Sequence, residues 1–347
     1  MRVVFIESVA AAALFLGLAL PVFPPTQRHT PVPAGQDRIE APSQSANPST
    51  FHSFRPVGGR KPAESSQAES SPSEGTYQRI RRLPNGYSLE YGFKNFNGDA
   101  LQLRAQLDAE TVAQSVREFG FRESDLKKLA DWHQQARTQA LARAKTQKEL
   151  DSALDALAAE HRRRRNEFYQ NAGFRYVGDK TISADVPALI RRNIRRVDPV
   201  AQAFSAISGS RRYGAEELVG AVTAMAQTAL RYEVPPNETA ASRVIGGILP
   251  PPQALVLGQG DCDTKTALIA GILRHWPNLR MVGLELPEHY LMAVQRAPRK
   301  GDVYIEFEGF PYVMIESAGP AWIPPGEVGE FTLSYLESGK QFRIQPI

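Results

Sequence analysis

The sequence predicts an α+β fold: a cysteine-bearing helix packed on an antiparallel sheet, preceded by a small β unit and a helical, partly coiled-coil arm. Three observations lead there. Residues 258–276 open on a Gly-rich turn and run on with Leu268, Ile272 and Leu273 at helical spacing. After that run the apolar pattern switches to period two in successive short stretches. Ahead of both lies a tract over 124–171 with almost no helix breakers. One helix followed by a series of strands is an α+β order, since parallel α/β sheets alternate the two.

Composition limits the classes open to the chain. Of 347 residues, 42% are hydrophobic and 22% charged, as in an ordinary globular protein. A net charge of +4 over 41 basic and 37 acidic residues is mild, so no nucleic-acid partner is expected. The single cysteine, Cys262, excludes an intramolecular disulfide and a cysteine-rich metal site, and no cofactor is expected.

Taken in order, residues 1–23 read as a signal peptide or an N-terminal membrane anchor. A short basic start precedes an almost continuous apolar run over 9–23, and residues 3–23 together are long enough to associate with a membrane. The expected location is therefore extracytoplasmic, in the periplasm or cell envelope. Residues 24–75 are rich in Pro, Ser and Gln with few large apolar side chains, which is the composition of a disordered linker. Residues 76–107 read as a small β unit of three strands, with an Asn85-Gly86 turn and a second turn at Asn97-Gly98-Asp99.

Residues 108–212 read as a helical arm. Asp108 caps a short helix that ends at Gly120. Within 124–171, Leu150, Leu154, Leu157, His161 and Phe168 keep a coiled-coil-like four-three spacing. Thr146-Gln-Lys-Glu149 matches a capping box, so the tract reads as two antiparallel helices or as one rod. Arg162 to Arg165 point all round their helix and read as a solvated end, with an acidic surface as the functional alternative. Further helices are expected over 183–196, 198–208 and 215–230.

Residues 213–347 carry the chemistry. Asp261 is a good N-cap, which puts Cys262 at the start of the helix, where the macrodipole favours a thiolate. Asp261 and Asp263 oppose that effect through their charge. Strands are expected over 280–286, 289–295, 303–307 and 312–316, with edge strands over 331–336 and 341–344. A nucleophilic cysteine needs a base within hydrogen-bond reach. Of six histidines, His29 and His52 fall in the linker and His133 and His161 on the helical tract. His275 lies on the cysteine's own helix, roughly 20 Å along its axis. His289, opening a strand, remains. Asp302, Glu306, Glu308 and Glu316 are candidates to orient it, and Glu316 is favoured because a charge closing an apolar strand calls for a partner.

These residues resemble the transglutaminase-like superfamily of papain-type cysteine enzymes. The likeness covers about 215–330 and rests on Gly260-Asp261-Cys262-Asp263-Thr264-Lys265 opening a helix, the histidine opening a strand, the later carboxylate, and Tyr232-Glu-Val-Pro235 upstream. It implies Cys262 as nucleophile, His289 as general base and acid, and Glu316 as orienter, in an exported member of bacterial type. Two departures stand out. Glu316 occupies a place usually held by Asp, and Tyr290-Leu291 follow the histidine where a tryptophan is common. The expected activity is thiol-dependent acyl transfer on amide bonds of a protein or peptide substrate, by hydrolysis more than by cross-linking. The contrasting expectation is an envelope-anchored binding or scaffold protein whose transglutaminase-like domain is degenerate.

Overall fold

The alternating segment at 76–107 builds a three-stranded antiparallel meander in the computed structural model, which describes residues 4–5, 75–178 and 181–347. Its strands are β1 (Tyr77–Leu83), β2 (Gly86–Lys94) and β3 (Ala100–Asp108). Leu89, Tyr91 and Phe93 of β2 and Leu101, Leu103 and Leu107 of β3 occupy alternate positions and are buried. The turn is offset from the expected Asn-Gly pair. Pro84 and Asn85 make it, and Gly86 already pairs with Leu83 and Asp108. Gly86 serves close approach, because a Cβ there would lie 2.3 Å from the Leu107 carbonyl oxygen.

Asp108 caps α1 (Ala109–Arg117) by accepting the Thr111 N–H at 2.8 Å. The breaker-free tract is a helical hairpin of α2 (Glu123–Arg143) and α3 (Gln147–Asn171), with Thr146 accepting the Glu149 N–H at 3.2 Å where α3 begins. The seam residues Leu150, Leu154, Leu157, His161 and Phe168 are half-buried, and His133 stacks on His161 with ring centroids 4.3 Å apart. Only Tyr169 is fully buried in the hairpin. Around the arginine run, Arg163 pairs with Glu160 and Glu167, while Arg164 lies over the Trp132 ring.

A β-hairpin of β4 (Phe174–Gly178) and β5 (Thr181–Ala184) follows, with Val4–Phe5 paired antiparallel to β5. The helix expected from residue 183 therefore starts later, as α4 (Val186–Asn193), once Asp185 can accept the Ala188 N–H. A 3-10 turn leads to α5 (Asp198–Arg211), then α6 (Ala215–Ala224), whose continuation over Met225–Ala229 is π-helical. α7 (Pro251–Leu257) tolerates prolines at its first positions, since they lack only N–H groups that have no intrahelical acceptor. α8 (Cys262–Leu273) is buried along its whole length.

The period-two segments after α8 form one antiparallel sheet of β6 (Met281–Leu286), β7 (His289–Gln295), β8 (Tyr304–Phe307), β9 (Phe310–Ile315) and β10 (Arg343–Pro346), in the order β8-β9-β7-β6-β10. The expected edge strand at 331–336 is instead α9 (Glu330–Glu337), which buries Thr332 and Leu336, four residues apart on one helical face. β7 is covered on both sides. Tyr290, Met292 and Val294 join the core that holds α8, α4, α5, α6, β2 and β3. Leu291 and Ala293 join a second cluster with Leu284, Met314 and Leu336. At about 1.5–3 kcal/mol per fully buried aliphatic side chain, this double burial holds β7 firmly against α8. The chain is thus a mixed α+β protein whose antiparallel sheet packs on the cysteine helix. The leader and linker expected over 1–75 lie almost entirely outside the described residues. Among those described, no helix is long and apolar enough to cross a membrane.

Candidate functional site

The start of α8 is fixed from three directions. Gly258 ends α7 at φ +63, and a Cβ there would lie 1.8 Å from Gln78 Oε1. Gln259–Gly260 then pairs in parallel with Arg231–Tyr232, which draws the Tyr-x-x-Pro element against the cysteine loop. Asp261 caps the helix by accepting the Thr264 N–H at 3.1 Å, as its sequence position implies. Cys262 follows as the first residue of α8 and is 7% exposed.

His289 opens β7 directly after the turn at Pro287-Glu288, where Glu288 is held at φ +59. Its Nε2 lies 3.0 Å from Oε1 of Glu316, just past the end of β9. Glu316 is 3% exposed and also accepts the Ala318 N–H at 3.2 Å, the Gly329 N–H at 3.4 Å and the Thr332 hydroxyl at 3.1 Å. Burial raises its pKa, but His289 and these donors outweigh burial and hold it below the usual carboxylate range. Gly329 is the N-cap of α9, so the carboxylate also faces the positive end of a helix. Among the other candidates, Asp302 is taken by Arg296 at 2.7 Å, and Glu306 and Glu308 are exposed.

Two residues outside the motif tie the three candidates together. Thr266, four residues after Cys262, lies 2.6 Å from Ser317, the neighbour of Glu316. Ser317 Oγ lies 3.3 Å from the Cys262 carbonyl oxygen and Thr266 Oγ1 lies 3.2 Å from the Tyr290 carbonyl oxygen, so one hydroxyl donates to the other and the second donates to a carbonyl. Both hydroxyls are fully buried, so this contact joins the cysteine helix, the histidine strand and the carboxylate loop without water. Gln227, in the π-turn, donates to the Glu316 carbonyl at 2.7 Å and accepts the Ile323 N–H at 2.9 Å. A polar residue in a buried helical run was the available signal for Thr266 and Gln227. Nothing in the local pattern marked Ser317.

The thiol itself is directed elsewhere. Cys262 Sγ donates to Asp263 Oδ1 at 3.5 Å. Among the described residues no hydrogen bond joins it to His289. Burial, then Asp263 and Asp261, push the thiol well above its ordinary pKa. The helix-start effect expected to favour a thiolate is overruled, because a macrodipole supplies about 0.3–1 kcal/mol and burial of a charge costs several. Burial and the charge of Asp263 also raise Asp261 to about 6. Lys265, one turn into α8, donates to the Leu230 carbonyl at 2.9 Å and lies over the Tyr232 ring at 5.9 Å, and burial lowers its pKa to about 7.

His289 and Glu316 face an open groove of about 500 Å³ walled by Tyr232, Glu288, Phe331 and the 318–323 loop. Phe331 meets the His289 ring edge-on at a centroid distance of 6.3 Å. Cys262 does not line this groove, and neither do Gln253 and Gln259, the glutamines shortly before it in the chain. Gln259 Oε1 instead accepts from Arg231 at 2.7 Å. The chain matches no family model, and neither curated proteins nor solved structures yield a match to it.

Proposed function

We propose that this chain is a thiol-dependent acyl-transfer enzyme of transglutaminase-like type, acting on amide bonds of a protein or peptide and favouring hydrolysis. The observation that carries this reading is the His289–Glu316 pair at 3.0 Å, with its carboxylate buried, on the strand packed against the helix that begins with Cys262. A carboxylate on Nε2 fixes the ring and leaves Nδ1 for the thiol. Cys262 Sγ leaves Asp263 by rotating about its side-chain bond and gives its proton to His289 Nδ1 as it attacks the amide carbonyl. The tetrahedral adduct collapses to a thioester when His289 returns that proton to the departing amine. Water, deprotonated by the same ring, then releases the acid and restores the thiol.

The raised thiol pKa makes base-assisted attack the relevant route, since no standing thiolate is available at neutral pH. The same observation, with the Cys262–Asp263 hydrogen bond, favours a second reading: a binding module with a degenerate site. Mass-spectrometric labelling of Cys262 by iodoacetamide decides between them. Under the enzyme reading, labelling slows in His289→Ala. A rate untouched by that substitution sinks the enzyme reading and leaves the binding module. Incubating peptides with a fluorescent primary amine separates hydrolysis, which yields free acids, from cross-linking, which yields amine adducts.

A further inference from the structure

A cavity of about 580 Å³ opens at the end of β2, and its lining includes Lys94, Arg231, Tyr232 and Trp322 but no Asp or Glu. Cys262, His289 and Glu316 do not line it, so the acyl transfer proposed above does not use it. Its cations are unlike those of the cavity lined by Gly220 and Val294. There Arg296 meets Glu216 and Asp302, and Arg299 meets Glu216.

Arg231 is held by neutral acceptors. Its Nη2 donates to Gln259 Oε1 at 2.7 Å and to the Leu257 carbonyl at 3.4 Å. The fork is thus fixed in place, while Nε and Nη1 keep their donors among the described residues. Lys94 makes no ion pair among the described residues. Tyr77, also in the lining, bonds Glu90, but Arg79 and Arg104 already pair with that carboxylate. Glu233 follows Tyr232 in the chain and does not line the cavity.

The aromatic walls are fixed as well. Trp322 is anchored by its Nε1–H donating to the Lys94 carbonyl at 3.1 Å and by the Phe96 ring at a centroid distance of 5.3 Å, yet it stays 49% exposed. Tyr232 is 44% exposed. Solvation accounts for Lys94 taken singly, but not for a positioned guanidinium without a carboxylate in a cavity that also presents two exposed rings. Such a lining suits a ligand that carries a carboxylate beside a large apolar group. The last residue of a peptide carries both on one Cα, whereas an internal Asp or Glu has to borrow the apolar group from a neighbour.

We propose that this cavity binds the free C-terminus of a peptide: Arg231 and Lys94 take the carboxylate, and Trp322 and Tyr232 seat a large apolar last side chain. The site stands apart from the acyl-transfer reading, since it predicts binding whether or not any bond is cut.

The test uses the full-length chain carrying Cys262→Ala, which removes the thiol without altering the cavity lining, and N-acetylated hexapeptides built on one Gly and Ser sequence. One ends in Phe as the free acid, one in Phe amide, one in Gly as the free acid, and one in Phe amide with an internal Glu. Calorimetry is expected to show the Phe acid binding about ten-fold or more tightly than the other three. Lys94→Gln and Arg231→Gln are each expected to shrink the acid-over-amide difference, and Trp322→Ala the Phe-over-Gly difference. Thermal melts check the fold. Lys94→Gln keeps the test open should Arg231→Gln, which also loses its bonds to Leu257 and Gln259, fail to fold. Equal binding of acid and amide, no binding of any peptide, an acid preference untouched by both charge substitutions, or a Phe preference untouched by Trp322→Ala overturns the proposal. Equal binding of the internal-Glu peptide also overturns it, assigning the cations to side-chain carboxylates, and so does displacement of the Phe acid by an equal concentration of sulfate. Because binding is read without the thiol, failure here leaves the acyl-transfer reading standing, and failure of that reading leaves this site standing.

Discussion

The imidazole of His289 and the carboxylate of Glu316 meet at 3.0 Å although 27 residues separate them, and the carboxylate takes three further donors from Ala318, Gly329 and Thr332. Glu316 is therefore a buried carboxylate, oriented by four donors and held below the usual carboxylate pKa range. Glu316→Gln keeps the shape and removes the charge. It is expected to lower kcat/KM by about 10²–10⁴, measured on any peptide the chain turns over. Retained activity in a folded Glu316→Gln protein would exclude a role in orienting the base.

The same carboxylate links stability to pH. Its folded pKa is depressed below 4.5, so its stabilisation is present above that value and lost as pH falls through the folded value. Chemical denaturation between neutral and acidic pH is expected to show a shallower acid loss in Glu316→Gln than in the parent chain. Parallel curves would assign the acid sensitivity to other carboxylates.

Asp263 holds the Cys262 thiol at 3.5 Å and raises its pKa by like charge. Asp263→Asn removes that charge, so iodoacetamide labelling at neutral pH is expected to speed up several-fold. In the parent chain the labelling rate should still be climbing above pH 9. An early plateau in the parent would mean that burial and the aspartates do not control the thiol.

Thr266 and Ser317 join the cysteine helix to the carboxylate loop through their 2.6 Å contact. Ser317→Ala is expected to cost about 1–3 kcal/mol of stability, since Thr266 loses a buried partner. If the contact also aligns the site, kcat falls while KM holds, and Ser317→Thr recovers part of the loss. A loss of stability with kcat unchanged confines the pair to a structural part.

Lys265 gives a signed prediction of the opposite kind. Its folded pKa is about 7 against an ordinary 10.5, so the unfolded chain binds more protons between those values and stability rises with pH there. Lys265→Met is expected to stabilise the chain most below pH 7, with the gain shrinking towards pH 10.5. A gain independent of pH would mean that the ammonium is solvated in the folded protein.

Much of this architecture was legible along the chain. Strand alternation at Leu89, Tyr91 and Phe93, the caps at Asp108, Thr146 and Asp261, and the burial of α8 are local effects written in side-chain periodicity and hydrogen-bonding chemistry. The pairing of His289 with Glu316 was also legible, the first residue by elimination and the second because a charge ending an apolar strand has to be met by a partner. Residues 331–336 went the other way: apolar side chains at 331, 333, 335 and 336 fit either period, and packing of Thr332 and Leu336 chose the helix. Contacts across long sequence separations decided the rest. Ser317 acquires its meaning only when β9 lies beside β7 and α8, and the thiol's environment depends on how deeply α8 is covered. Sequence by itself determined which groups this protein has available and which local elements carry them, because caps and periodicity act within a turn or a strand. Tertiary structure alone decided that the Glu316 carboxyl is held below its usual range and the Cys262 thiol above its own. Desolvation and Coulomb energies depend on distances that no short stretch of chain contains.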